Sequence, residues 1–183
     1  MFRYADDVVI CCRHEKDAVW MKDALAKRLA EFDLTLNKDK TKLVKFSKRK
    51  YNQKIKQDGF NFLGFTFYLG KSRKGYALPK VKTIGTRLRS KLKKVNEWAR
   101  ENKNKAPLKD IWKIFCAKLR GHIQYYGVSF NSRAIIIFRQ ESVRIMFKWL
   151  NRRSQKKSFK WEQFELFMMK YPPPEVVVIH HLF

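Results

Sequence analysis

Two adjacent carboxylates, Asp6 and Asp7, stand between Phe2-Arg3-Tyr4-Ala5 and the apolar run Val8-Val9-Ile10-Cys11-Cys12. The short β-type runs on either side predict a hairpin that holds both acids at a tight turn. Side by side the two charges repel, and their apolar flanks offer little other solvation. A divalent cation would resolve that conflict, because hard Mg²⁺ takes one or two carboxylates together with substrate phosphates. In a chain of net charge +26, an acidic cation site beside a basic surface points to phosphodiester chemistry on a nucleic acid. The competing reading of Asp-Asp is a solvated turn, and the dipeptide alone does not exclude it. The whole frame from Arg3 to Ile10 favours the metal site.

The 183 residues suffice for one substantial domain or two small ones, and an apolar content of 45% separates the chain from disordered basic tails. No stretch approaches the roughly 18 uninterrupted apolar residues of a membrane span, and no leader pattern is expected at the N-terminus. Cys11 and Cys12 would point to opposite faces of a strand, which disfavours a bridge between them and suggests reduced thiols in a cytoplasmic setting. The cysteines and His14, His122, His180 and His181 lack zinc-site spacing. Charge is uneven: residues 1–70 carry 15 Lys and Arg against 9 Asp and Glu, whereas residues 71–183 carry 27 against 7. An excess of that size on a folded segment implies a polyanionic partner. An acidic protein or anionic lipid would also complement it, but the aromatics mixed among the cations favour RNA or DNA.

The elements that must position these groups can be read from periodicity. Apolar spacing over 16–33 predicts a helix, Leu43–Phe46 a strand, and Ser47–Asp58 a polar, Lys-rich connection. Phe60, Phe62, Phe65 and Phe67 alternate along a strand interrupted by a bend or bulge at Gly64. A turn at 71–75 leads to a returning strand, Tyr76–Leu78, closed by Pro79. Beyond it the period becomes helical. Leu88, Leu92, Val95 and Ala99 mark one helix. Pro107 opens a second, lined by Leu108, Ile111, Phe115, Leu119 and Ile123. Asn131 or Ser132 caps a third, lined by Ile135, Phe138, Ser142, Ile145 and Trp149, and residues 159–170 suggest a fourth. The class is α+β, with a boundary near 78–85 and a basic helical bundle after it. Cations lie off each apolar stripe: Arg87, Lys91 and Lys94; Lys109, Lys113 and Arg120; Arg144, Lys148 and Arg152. Trp112, Phe115 and Phe138 read as core rather than base-stacking platforms. Of the neighbours Tyr125 and Tyr126, one can be exposed, and Arg120 beside Gly121 suits close helix packing or phosphate contact.

The ordered series Tyr4-Ala5-Asp6-Asp7, the helix, Leu36-Asn37-Lys38-Asp39-Lys40-Thr41 and Phe60-Asn61-Phe62-Leu63-Gly64-Phe65 resembles the palm of group II intron reverse transcriptases. The segments Leu119-Arg120-Gly121-His122-Ile123-Gln124-Tyr125-Tyr126-Gly127 and Lys160-Trp161-Glu162-Gln163-Phe164 look like that family's thumb, the maturase or X domain. The resemblance implies that residues 1–79 form the C-terminal part of a palm and 80–183 the thumb. It implies that Asp6 and Asp7 are the catalytic, metal-binding pair, with Asp6 favoured as the direct ligand. Leu63-Gly64 would resemble the primer grip. Arg87, Lys91, Lys94, Lys113, Arg120, Tyr125, Arg144, Lys148 and Arg152 would lie toward intron RNA or an RNA–DNA duplex.

Two-metal phosphoryl transfer needs carboxylates bridging ions about 3.5–4 Å apart, and the family draws a further aspartate and its fingers from upstream. With Met1 just ahead of the motif, the expectation is a chain that binds Mg²⁺ only when completed by an upstream half and does not polymerise alone. An endonuclease is likewise not expected after Phe183. The reading is then an RNA-binding maturase-type fragment in a bacterial or organellar cytoplasm. Its alternatives are the catalytic C-terminal portion of a split RNA-directed DNA polymerase, or an inactive relic. The apolar edge Val8–Cys12 predicts pairing with a separate N-terminal half or a second copy, and no membrane partner is expected.

Overall fold

The first hairpin forms where the paired acids predict it. Strands β1 (Phe2–Tyr4) and β2 (Asp7–Val9) run antiparallel, with Phe2 opposite Val9, Arg3 opposite Val8 and Tyr4 opposite Asp7. Ala5 takes the left-handed region at φ 49, at a cost of about 1–2 kcal/mol for a residue with a Cβ. Arg3 Nε donates to Ala5 O at 3.0 Å and holds the turn closed. The second strand stops at Val9, three residues short of the apolar run's end.

The structure is a computed structural model, and it describes residues 1–55, 57–153 and 160–182. Among these the chain is mixed α and β, with six helices and two small sheets, and it divides into the units Met1–Lys80 and Val81–Phe183.

In the first unit, α1 (Glu15–Ala30) carries Glu15 and Asp17 in its first turn and Lys27 and Arg28 in its last, matching the helix dipole. The Leu36–Thr41 motif is a local knot. Asn37 Oδ1 accepts from the backbone N–H groups of Asp39 and Lys40, both at 3.1 Å, and Thr41 Oγ1 donates to Asn37 O at 2.7 Å. Leu43–Phe46 forms no strand, because among the described residues no neighbouring strand pairs with it. Lys45 pairs instead with Glu15, and Phe46 meets the Phe60 ring edge-on at 5.8 Å. The Lys-rich connection contains a short helix, α2 (Lys48–Asn52), with Ser47 Oγ accepting from Lys50 N at 3.3 Å.

The Phe-rich segment is two strands rather than one. Strands β3 (Phe60–Phe62) and β4 (Phe65–Lys71) pair antiparallel across a two-residue turn, in which Leu63 and Gly64 both have positive φ (48 and 83). Gly64 is therefore a hairpin turn residue and not a bulge. Phe60 and Phe67 stack across the strands at 5.1 Å. Strand β5 (Ala77–Thr83) continues through Pro79 and lies at the edge of the β3-β4-β5 sheet, where proline's missing N–H is tolerated.

The second unit holds α3 (Gly85–Asn102), α4 (Leu108–Tyr126), α5 (Ser132–Leu150) and α6 (Trp161–Lys170). Phe159, where the fourth helix was expected to begin, lies outside the described residues. The stripes read from sequence hold in part: Ile111, Phe115, Leu119 and Ile123 on α4, Ile135, Phe138 and Ser142 on α5 and Ala99 on α3 are buried, but Leu88, Leu92, Val95 and Leu108 are half-buried. Toward the end of α5 the core side is taken by Met146 and Leu150 in place of the half-buried Ile145 and Trp149, and Phe164 of α6 is also buried. Trp112 packs among Phe115, Phe164 and Phe167, and its Nε1 donates to Tyr171 O at 2.8 Å. Gly127 is a close-approach glycine: a Cβ there would lie 2.6 Å from Ile123 O and 2.8 Å from Val177 O. Of the two readings for Gly121, close helix packing does not hold, since a Cβ there meets nothing within 4 Å.

Asn131 precedes α5 but its side chain does not cap it. Buried to 1% exposure, it accepts from Thr83 N at 2.7 Å through Oδ1, and Nδ2 donates to Thr83 Oγ1 and to Tyr126 O, both at 2.9 Å. Asn131→Ala should lower the unfolding free energy by about 2–3 kcal/mol, because the buried Thr83 N–H loses its acceptor and the Thr83 hydroxyl its partner. Urea unfolding of the two proteins measures this, and a loss under about 0.5 kcal/mol would contradict it.

Candidate functional site

The acidic pair sits at the tip of the first hairpin, where a turn between two short strands must turn its side chains outward. Asp6 occupies the turn, Asp7 opens β2 opposite Tyr4, and both are exposed. Arg3, a flank of the acidic pair in sequence, closes this turn through Ala5 O, and its guanidinium supports the backbone that presents the acids. Two carboxylates supply hard oxygen donors of the kind Mg²⁺ uses. Among the described residues no group of three or more His, Cys, Asp or Glu converges to hold a metal. An ion on Asp6 and Asp7 would therefore complete its shell from water and substrate phosphate, which is the usual mode for Mg²⁺.

Leu63 and Gly64 occupy the turn of the second hairpin, which belongs to a separate sheet from Asp6 and Asp7. Leu63 is half-buried and Gly64 buried. A leucine in the left-handed region is costly and uncommon, and strain of this kind persists where the surroundings impose it.

The cations of the second unit follow the helix period. Arg87, Lys91 and Lys94 stand on one exposed face of α3, and Lys109, Lys113 and Arg120 are exposed on α4. Spacings of three, four and seven residues place such groups about 5–10 Å apart along a helix axis, at 1.5 Å per residue. On α5, Arg144, Lys148 and Arg152 are exposed but not equivalent. Arg144 Nη1 bonds Glu141 Oε1 at 2.7 Å, so its charge is locally compensated. Lys148 and Arg152 instead lie over the Trp149 ring, at 5.3 Å each, and Lys103 from the end of α3 joins them at 5.2 Å. No local sequence pattern signals the approach of Lys103 to Trp149.

Tyr125 is 53% exposed and Tyr126 4%, so neighbouring helix positions divide between surface and core. Their rings meet edge-to-face at 4.8 Å. Burial raises the Tyr126 hydroxyl above its ordinary range, with Tyr125 adding to the shift. Burial likewise pushes the Cys116 thiol up to about 11, despite nearby Arg120 and Arg139, so it is not a thiolate nucleophile. His122 stacks on Phe138 at 3.5 Å and packs against Tyr126 at 4.6 Å. Burial lowers its pKa to about 4, and the charge of Lys91 adds to that shift. The imidazole is neutral at pH 7 and serves packing rather than phosphate binding.

With this geometry in place, the comparison with known families is specific to one part of the chain. Residues 1–67 match the family described as reverse transcriptase (RNA-dependent DNA polymerase). The segment carrying the acidic hairpin, α1, α2 and the β3–β4 hairpin is thus similar to reverse transcriptases and suggests a related function. The match ends at Phe67, ahead of the helical unit. No curated protein and no solved structure gives a significant match to the chain. Among the described residues, no helix is long and apolar enough to cross a membrane.

The His122 environment carries a pH dependence. Its folded pKa, about 4, lies below the unfolded value near 6.5, so protonation favours the unfolded chain. The contribution is fully present above about pH 6.5 and is lost as pH falls toward 4, by at most about 3 kcal/mol before allowing for partial solvent access. Comparing unfolding free energies of the wild-type protein and His122→Gln at pH 7, 5.5 and 4.5 should show the gap between them closing as pH falls. A constant gap would contradict the assignment.

Proposed function

We propose that this chain is an RNA-binding protein of the group II intron reverse transcriptase and maturase type. In this reading residues 1–79 correspond to the C-terminal part of a palm, and residues 80–183 to a thumb or maturase domain X. Intron RNA is the partner, and holding it in a splicing-competent fold is the function. The observation that carries the reading is the Tyr-Ala-Asp-Asp hairpin inside a reverse-transcriptase-like segment, followed by residues 81–183, which carry 23 Lys and Arg against 7 acids. The free thiols of Cys11, Cys12 and Cys116 agree with a reducing, cytoplasmic setting.

If about six cations meet phosphates, affinity for structured intron RNA should fall roughly 10³–10⁵-fold between about 50 and 200 mM salt. Filter binding across that range tests this, and a flat response overturns the reading.

A second reading is supported by the exposed Asp6-Asp7 pair. Here the chain contributes these carboxylates to a polymerase completed by a separate N-terminal reverse-transcriptase half or by a second copy. Asp6 and Asp7 would hold Mg²⁺, which when bound would neutralise charge on the reacting phosphates. The chain's own part is to present both acids on a turn braced by Arg3. Mixing the chain with such a half should yield Mg²⁺-dependent primer extension that Asp6→Asn abolishes. Extension unaffected by that substitution would remove Asp6 from any such role.

A further inference from the structure

Three cations converge on one indole in the second unit. Lys103 is the C-cap residue of α3, Lys148 lies in the last turn of α5, and Arg152 follows that helix by two residues. All three charged groups lie 5.2–5.3 Å from the centroid of the Trp149 ring. The ring is fixed by its Nε1, which donates to Asn96 Oδ1 of α3 at 2.8 Å. Just beyond, Arg153 Nη2 donates to Ala106 O at 3.0 Å and anchors the chain leaving α5 to the α3–α4 connection. The cluster therefore rests on rigid supports from two helices.

Two ordinary causes account for part of it. Helix C-termini attract cations, and an aromatic face attracts each by about 0.5–1 kcal/mol at an exposed site. Neither explains why a third cation is brought from a second helix against the repulsion of the first two. Any two of the three lie within about 11 Å of each other, no more than about one Debye length at 0.1 M salt, so their mutual repulsion is reduced but not abolished. Among the described residues none of the three forms an ion pair, whereas Arg144 is held by Glu141 and Lys93 by Glu97. Residues 154–159 contain no Asp or Glu that could supply a counter-charge.

We propose that Lys103, Lys148 and Arg152 form a binding site for backbone phosphate of RNA, with Trp149 as the positioning residue that holds their charges convergent. This inference rests on the RNA-binding reading above and narrows it to one site. Arg152 offers a planar fork to phosphate oxygens, and the two lysines act as point charges beside it. Arg144 is excluded from the site by its pairing with Glu141, although it shares the face of α5.

The test uses the full chain and a single-stranded RNA in salt titrations. The triple variant K103Q/K148Q/R152Q is compared with K16Q/K22Q/K27Q, which removes the same charge from exposed positions on α1. At a slope of about −0.7 per phosphate contact, the first variant should lose about two units of salt slope and the second much less. Equal losses in the two variants, or no loss in the first, overturn the site while leaving RNA binding by the chain in place. A flat titration of the wild-type chain overturns both the site and the reading it rests on. Amine-reactive footprinting of the wild-type chain decides the matter should the triple variant fail to fold. Protection of Lys103 and Lys148 by RNA, beyond that of Lys16 and Lys22, supports the site, and uniform labelling overturns it.

Discussion

The register of the helical unit rests on one buried amide, Asn131, which pairs polar groups from two other segments, whereas the Oγ of Ser142 on α5 is buried with no hydrogen-bond partner among the described residues. Asn131 is almost wholly enclosed, and its amide satisfies groups from Thr83 and Tyr126. It therefore joins the end of β5, the end of α4 and the start of α5, segments brought from 48 residues apart in the chain. Apolar packing is tolerant of sliding, but a hydrogen-bonded amide in a dry site is not. The register between α5 and the entry to α3 is set at this end by Asn131, and at the other end by Trp149 Nε1 on Asn96 Oδ1. Between these two polar locks the α3 and α5 faces pack without needing specific geometry of their own.

The two units differ in how they are stabilised. Every fully buried hydrophobic side chain among the described residues lies at Val81 or later. The first unit instead exposes Phe2, Tyr4, Trp20, Phe32, Leu34 and Leu43, and α1 has no buried residue. Local hydrogen bonding does the work there: the Asn37 turn, the Ser47–Gln57 pair of bonds at 2.7 and 2.8 Å, and two hairpins with two-residue turns. Apolar surface on that scale is characteristic of regions that meet other macromolecules.

Sequence periodicity made the long elements readable because their burial is one-sided. Helices α3, α4 and α5 fall where the 3.6-residue stripe places them, and the Asp6-Asp7 hairpin follows from the short β-type runs on either side of the acids. The failures share a cause, which is dependence on groups distant in sequence. Leu43–Phe46 has strand composition, yet a strand exists only with a partner. Leu63-Gly64 forms a hairpin turn although leucine disfavours positive φ, so its residue types read as a bend or bulge within one strand rather than as a turn between two. Pro79 fails to end β5 because the strand lies at an edge, a property of the sheet and not of the proline. Asn131 has the composition of a cap, but a stronger set of partners lay across the fold. Within the candidate site, the helical cations were legible as faces. Which of them are neutralised was not, since Glu141 beside Arg144 and Lys103 beside Trp149 differ only once the chain is folded.

The charge balance ties stability to binding. Among the described residues, the ion pairs formed by Arg28, Lys45, Lys93 and Arg144 all lie at exposed positions, where such pairs contribute little. The remaining positive potential opposes compaction, as any large net charge does. Holding three cations around Trp149 adds to that opposition locally and is sustained by the core of α4, α5 and α6 beneath. Any polyanion that binds a folded chain of this charge relieves such repulsion and, by mass action, stabilises the fold. If RNA is the partner, as proposed above, the repulsion among Lys103, Lys148 and Arg152 and their attraction for a phosphate have the same electrostatic origin.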